Sequence, residues 1–245
     1  MTAPTPALPR LTPVADHALL VEFAEAIDDA AHEVVLHLDR VLSAHPPAGV
    51  AELVPAYVSL LVDFDPLATN HAAVAAAVMA ALREPRAGAA AGALREVLVC
   101  YDADLAPDLA EVAARTGLSE EAVIKAHLAG DYRVFMYGFA PGWCYLGGLP
   151  KELGISRRAT PRPPIPPNTI IVAGGLSLVA TNSMPTGWWL IGRTAERMMT
   201  LGREPVFLAE PGDYLRFERV DRATFNALDA RAAAGELVAR KETPP

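Results

Sequence analysis

Arg157, Arg158 and Arg162 fall within six residues, on backbone stiffened by Pro161, Pro163 and Pro164. A guanidinium grips a carboxylate or phosphate in a planar two-point contact, so this spacing describes an anion site. The same arginines could instead pair with Asp131 or Glu152, or lie in solvent. Arg193 follows Gly192 at the end of an expected strand, where it either joins them or braces a corner. His127 ends an expected helix and is a candidate acid or base; a lone histidine is more often a packing or capping group. Trp143, Tyr145 and Trp188 are either core fillers or the apolar wall of a cleft. Cys144 has no histidine near it in sequence and reads as a semi-buried loop thiol.

Several chemistries are excluded by what is missing. The 245 residues contain no GxxxxGK[ST], GxGxxG, HExxH or GxSxG run. Six dispersed histidines argue against a metal site, and two cysteines without a CxxC pattern argue against a disulfide scaffold. The net charge of −8 lacks the basic footprint of a nucleic-acid binder. Ala113, Gly117 and Val123 are spaced like a helix-turn-helix, but the second helix would open on Ser119-Glu120-Glu121 and so meet phosphates with carboxylates. The Pro-rich start, MTAPTPALPR, is no signal peptide, and no apolar run is long enough to span a bilayer. The expectation is a soluble, cytoplasmic protein with no nucleic-acid or membrane partner.

These residues need elements to hold them. Strands are expected near 11–14 and 18–23, then a helix capped by Asp28 or Asp29 and running to Ala44. Strands near 50–54 and 57–64 precede a helix from Pro66 to about Arg83. That order describes a small two-layer α/β unit over residues 11–86. EPRAGAAAG, residues 84–92, reads as the linker. Residues 94–222 begin with a strand at 94–101 and a helical pair over 107–129. The Gly- and Pro-rich run after Tyr132 reads as shaped backbone whose rigid loops present the tryptophans and arginines. Short strands separated by turn residues are expected within and after it, near 133–137, 169–173, 176–181, 188–192, 206–208 and 214–217, which suggests a compact β-barrel. An alanine-rich helix over about 223–241 closes the chain. The class is α+β.

HLAGDYRVFMYGFAPGWCYLGGLP, RRATPRPPIPPNTIIVAGG and PTGWWLIGRT together resemble the KipI-like family, which includes the B subunit of 5-oxoprolinase and the protein long called allophanate hydrolase subunit 1. The likeness runs from about Val97 to Arg219 and more weakly over the N-terminal unit. It implies a cyclophilin-like barrel after the α/β domain. It also implies a subunit that works with a KipA-like subunit (the C subunit of 5-oxoprolinase) and a third amidohydrolase subunit to open 5-oxoproline to glutamate. ATP would enter at the level of the complex, since this chain has no nucleotide-cradling motif. Related roles in the family are inhibition of a histidine kinase and carboxyl transfer to urea or a related amide.

Read with that likeness, Arg158 and Arg162 would hold a small carboxylate or amide substrate, or a phosphorylated intermediate. Trp143, Trp188 and Arg193 would line the cleft, and backbone donors at Gly142, Gly147 and Gly148 would steady developing negative charge. His127 and Tyr145 would handle protons. The chain departs from the family pattern in places. Trp143-Cys144 replaces Phe-Pro, Leu176 stands where a glutamine is expected, and Ala180 stands where a tyrosine is expected.

Overall fold

Asp28 starts the first helix for a local reason. Its backbone is extended (φ −147°, ψ 127°), which turns its carboxylate onto the N–H of Ala31 at 2.8 Å. The computed structural model describes residues 9–85 and 92–242. Contacts divide the chain into two units, Met1–Ala90 and Ala91–Pro245.

In the first unit, β1 (Arg10–Val14), β2 (Ala18–Glu22), β3 (Val50–Pro55) and β4 (Ser59–Phe64) form one antiparallel sheet in the order β1-β2-β4-β3. Helices α1 (Asp29–Ala44) and α2 (His71–Ala81) contribute Val35, Leu38, Val74 and Val78 to a core shared with Leu19, Val21, Leu60 and Val62. The alternation of Leu60, Val62 and Phe64 along β4 turns one face inward. α2 starts later than Pro66, because Asn70 and not the proline caps it, accepting from Ala73 N.

In the second unit, seven strands close on themselves. They are β5 (Leu94–Cys100), β6 (Tyr132–Gly138), β7 (Ala140–Gly147), β9 (Thr169–Ala173), β10 (Leu176–Val179), β12 (Trp189–Thr194) and β13 (Tyr214–Arg219). The order is β12-β9-β10-β7-β6-β13-β5, and a β12–β5 pairing completes the barrel. The helical pair α3 (Leu109–Thr116) and α4 (Glu120–Leu128) is present, stopped by left-handed Gly117 and capped by Ser119. A separate ribbon pairs β8 (Arg162–Ile165) with β11 (Met184–Thr186). The architecture is the expected α+β.

Three expectations need correction. The Gly- and Pro-rich run after Tyr132 carries more pairing than the expected strand at 133–137: it opens as a hairpin, β6–β7, with register shifts at Val134/Met136 and Tyr137/Gly138. The last helix, α5 (Arg222–Ala233), is shorter than 223–241, and the chain continues into β14 (Arg240–Glu242), which pairs with β5. Residues 206–208 form only an isolated bridge, Met199 to Phe207. The central part of the expected linker lies outside the described residues.

Side chains from all seven barrel strands meet in one interior cluster, including Val97, Val134, Leu146, Ile170, Val179, Ile191 and Leu215. Leu109, Val112, Val123 and Ile124 of α3 and α4 join it. The outward residues Ile171, Ala173, Leu178 and Leu190 are buried too, in a second cluster with Ile165 of β8 and Met184 of β11. Strands covered on both faces read as continuous apolar runs, such as TIIVA, instead of alternating ones.

Candidate functional site: an arginine ledge at the start of α3

Asp108 precedes α3 and is 5% exposed. Its Oδ1 accepts from Arg162 Nη2 at 2.5 Å, and its Oδ2 accepts from the backbone N–H of Leu190 at 2.8 Å. Arg158 Nη1 lies 3.7 Å from Asp108 Oδ1 and 3.5 Å from Glu111 Oε2. Glu111 also pairs with Arg115 one helical turn on, at 2.8 Å, and hydrogen bonding from Arg115 is the main reason its carboxyl is held below the usual range. The Trp189 indole receives two guanidiniums, Arg115 at 4.6 Å and Arg158 at 4.8 Å from its ring centre. Trp189 Nε1 donates to Ser156 O at 2.8 Å, and Arg158 N donates to Gly187 O at 2.8 Å, so the backbone on both sides of the arginines is pinned.

The ledge therefore holds three guanidiniums against two carboxylates. The Nε atoms of Arg158 and Arg162 are buried and have no hydrogen-bond partner. A buried unpaired donor costs about 1–3 kcal/mol. An anion would meet the part of each arginine side chain left exposed, 28% for Arg158 and 20% for Arg162. This is the chemistry the arrangement can support: charge-assisted holding of a carboxylate or phosphate in a partly desolvated setting.

The other candidate residues fall elsewhere. His127 is fully buried, bonded through Nδ1 to the Tyr101 hydroxyl at 2.7 Å and stacked on Phe217 at 4.7 Å. Burial pushes its pKa down to about 3. It is a neutral packing group of the barrel end, and the structure does not bring it to the arginines. Trp143 and Trp188 are 4% and 6% exposed and belong to the outer apolar cluster, so they are not displayed as loop residues. Tyr145 is half-buried at the edge of that cluster. Arg193 donates through Nε to Pro167 O at 3.3 Å and braces that corner.

The glycines have packing explanations. A Cβ on Gly148 would stand 1.8 Å from Asp131 O, and one on Gly147 would stand 2.1 Å from the Phe135 ring. Gly142 has φ +72°, and a Cβ there would stand 2.6 Å from that of Met199. Cys144 is buried and its pKa is pushed up to about 12 by burial, which leaves an inert thiol.

Sequence reasoning missed the partners of the arginines. It offered Asp131 or Glu152, whereas the structure supplies Glu111 and Asp108, the latter 54 positions before Arg162. The unusual signal was a demand: clustered arginines with hardly any acid nearby in sequence must find carboxylates at a distance. The three departures from the family pattern, Trp143, Leu176 and Ala180, fall together in the outer apolar cluster. A larger indole there accompanies the lost amide and phenol. Among the described residues, no group of histidine, cysteine or carboxylates is arranged to hold a metal, and no helix is long and apolar enough to cross a membrane.

The chain is similar to known proteins over most of its length. The B subunit of 5-oxoprolinase from Bacillus subtilis (strain 168) is 33% identical over 223 residues, which is 86% of this chain and 93% of that protein. The corresponding B subunit from Escherichia coli O157:H7 is 41% identical over 122 residues, 50% of this chain and 56% of that protein. The crystal structure of TTHA0988 superposes with a TM-score of 0.76 at 32% identity, covering 84% of this chain; the chain spans 40% of that longer protein. Kluyveromyces lactis urea carboxylase shares the fold, with a TM-score of 0.76 at 16% identity over 96% of this chain and 24% of its own. Residues 9–209 match the model of the carboxyltransferase domain, subdomain C and D. The barrel, the motif run and these relatives agree: the chain belongs to the carboxyltransferase-domain family, subdomains C and D, together with the 5-oxoprolinase B subunits.

Proposed function

We propose that this chain is the B-type subunit of a heteromeric 5-oxoprolinase. With a KipA-like subunit and a third amidohydrolase subunit it would open 5-oxoproline to glutamate, using ATP bound in the complex and working in the cytoplasm. The observation that carries the reading is the similarity to the Bacillus subtilis protein across nearly the whole of both chains. The arginine ledge supports it at the level of residues. Arg158 and Arg162 keep part of their side chains exposed, and they would grip the substrate carboxylate or a phosphorylated intermediate. His127 drops out as an acid or base because it is fully buried and stays neutral. Tyr145 is kept as the proton-handling candidate of this chain, with the remaining groups supplied by the partners.

The test is reconstitution. The purified chain is mixed with the two partner subunits, and ATP-dependent glutamate release is measured. Activity should require this chain. Arg158→Lys and Arg162→Lys keep the charge and lose the planar two-point grip, so kcat/KM should fall about 10-fold or more. Unchanged turnover in both would remove the ledge from the site. Carboxyl transfer to urea or a related amide is the second reading. It rests on the fold shared with urea carboxylase, and dependence on a biotin-carrier protein in the same assay would favour it.

A further inference from the structure

Glu111 is a second carboxylate beside Arg158, and it is anchored there. Arg115, one turn on in α3, donates to its Oε1 through Nε at 3.1 Å and through Nη2 at 2.8 Å. Arg115 is itself held on the Trp189 ring at 4.6 Å, the same ring that carries Arg158 at 4.8 Å. The other oxygen, Oε2, approaches Arg158 Nη1 only to 3.5 Å. That is long for a charge-assisted contact, so Arg158 has room for a further oxygen. When Arg158 takes a ligand, Glu111 keeps its hold on Arg115 and its charge stays at the site. Both oxygens of Asp108 are engaged, by Arg162 and by the N–H of Leu190. Three guanidiniums against two carboxylates leave the ledge with a single positive charge. Arg157, the neighbouring residue, stands over Trp188 at 5.3 Å and is outside this set.

We infer that Glu111 sets the charge selectivity of the ledge: it makes the site a receptor for a singly charged carboxylate and turns away phosphate dianions. The inference rests on the ledge being the substrate site proposed above. It chooses the substrate carboxylate, and not a phosphorylated group, as what Arg158 and Arg162 hold. A carboxylate brings one negative charge and neutralises the ledge. Its two coplanar oxygens also match the fork of a guanidinium. A phosphate dianion would leave one negative charge in excess, close to the anchored Glu111 carboxylate. Like charges within about 4–6 Å oppose one another, most strongly where water is partly excluded. The repulsion acts once on a monoanion and twice on a dianion, so the dianion loses affinity by the square of the factor.

The experiment follows the indole N–H signal of Trp189, one of three tryptophans, by nuclear magnetic resonance of the full chain. 5-Oxoproline, acetate and inorganic phosphate are titrated separately at mildly alkaline pH, where phosphate is a dianion. The unaltered chain binds 5-oxoproline and acetate more tightly than phosphate, and Arg158→Lys weakens both carboxylates several-fold. Glu111→Gln is isosteric on a half-exposed side chain, so the melting temperature holds. It tightens acetate about 5-fold and phosphate about 25-fold. Glu111→Asp shortens the side chain but keeps the charge, and it keeps the preference for carboxylates; a purely structural role would be lost with the shortened reach. Tighter binding of phosphate than of acetate by the unaltered chain overturns the inference, and so does equal tightening of the two anions in Glu111→Gln. Acetate that follows this pattern while 5-oxoproline does not bind refutes the 5-oxoprolinase reading and upholds the charge selectivity. A Trp189 signal that none of the three anions moves refutes the ledge as an anion site and this inference with it.

Discussion

Asp108 and Arg162 are joined at 2.5 Å across 54 residues of sequence, and the same carboxylate holds the backbone N–H of Leu190. One buried acid thus ties the start of α3 to the arginine segment and to β12. Removing it strands the Arg162 guanidinium and a backbone donor. Asp108→Ala should destabilise the protein by about 3–5 kcal/mol, the usual cost of breaking one side of a buried pair. Asp108→Asn keeps an acceptor for Leu190 and should lose less. Denaturant unfolding of the two variants side by side checks this; equal, small losses would show that the contact is incidental.

His127 predicts a pH dependence of stability. Its folded pKa is pushed down to about 3 by burial, below the ordinary value of 6.5. The unfolded chain therefore binds the proton first as pH falls. The stabilisation is fully present above about 6.5 and is lost progressively down toward 3, at about 1.4 kcal/mol per pH unit. His127→Gln should be less stable at pH 7.5, because the aromatic packing suffers, but its stability should fall less steeply between pH 6.5 and 4.5. Parallel slopes for the two proteins would mean that the imidazole is protonated without unfolding.

Glu196 should act as the clasp of the C-terminal strand. It is 1% exposed, pairs with Arg203 at 2.7 Å and accepts from the backbone N–H groups of Val238 and Ala239. Glu196→Ala leaves the Arg203 charge without its carboxylate and the N–H groups of Arg197, Val238 and Ala239 without their acceptor. The expected result is a loss of about 3–5 kcal/mol, with fast amide exchange at Val238 and Ala239 while the amides of β9 stay protected. Slow exchange at those two positions in the variant would show that β14 is held without Glu196, by its pairing with β5 and the Arg240 ion pairs to Glu96 and Glu218.

Local chemistry was legible in the sequence because it acts over a few residues. Asp28, Ser119 and Gly117 mark helix ends through their own side chain or backbone, and α1, α3 and α4 lie where those signals put them. The run from Tyr132 to Arg193 stood out by composition, and the family followed from its motifs. Only the tertiary structure decided what that run does. Trp143 and Trp188 became an outer core because a second ribbon covers the barrel strands there, and burial depends on what arrives from elsewhere in the chain. His127 lost any claim to proton chemistry because Tyr101, Tyr132 and Phe217, from three different strands or strand ends, surround it. The arginines found Asp108 and Glu111 because β12 of the barrel and β8 of the separate ribbon both come to the start of α3. Charge pairing over such separations is set by the fold's path through space, which no spacing within the arginine segment encodes.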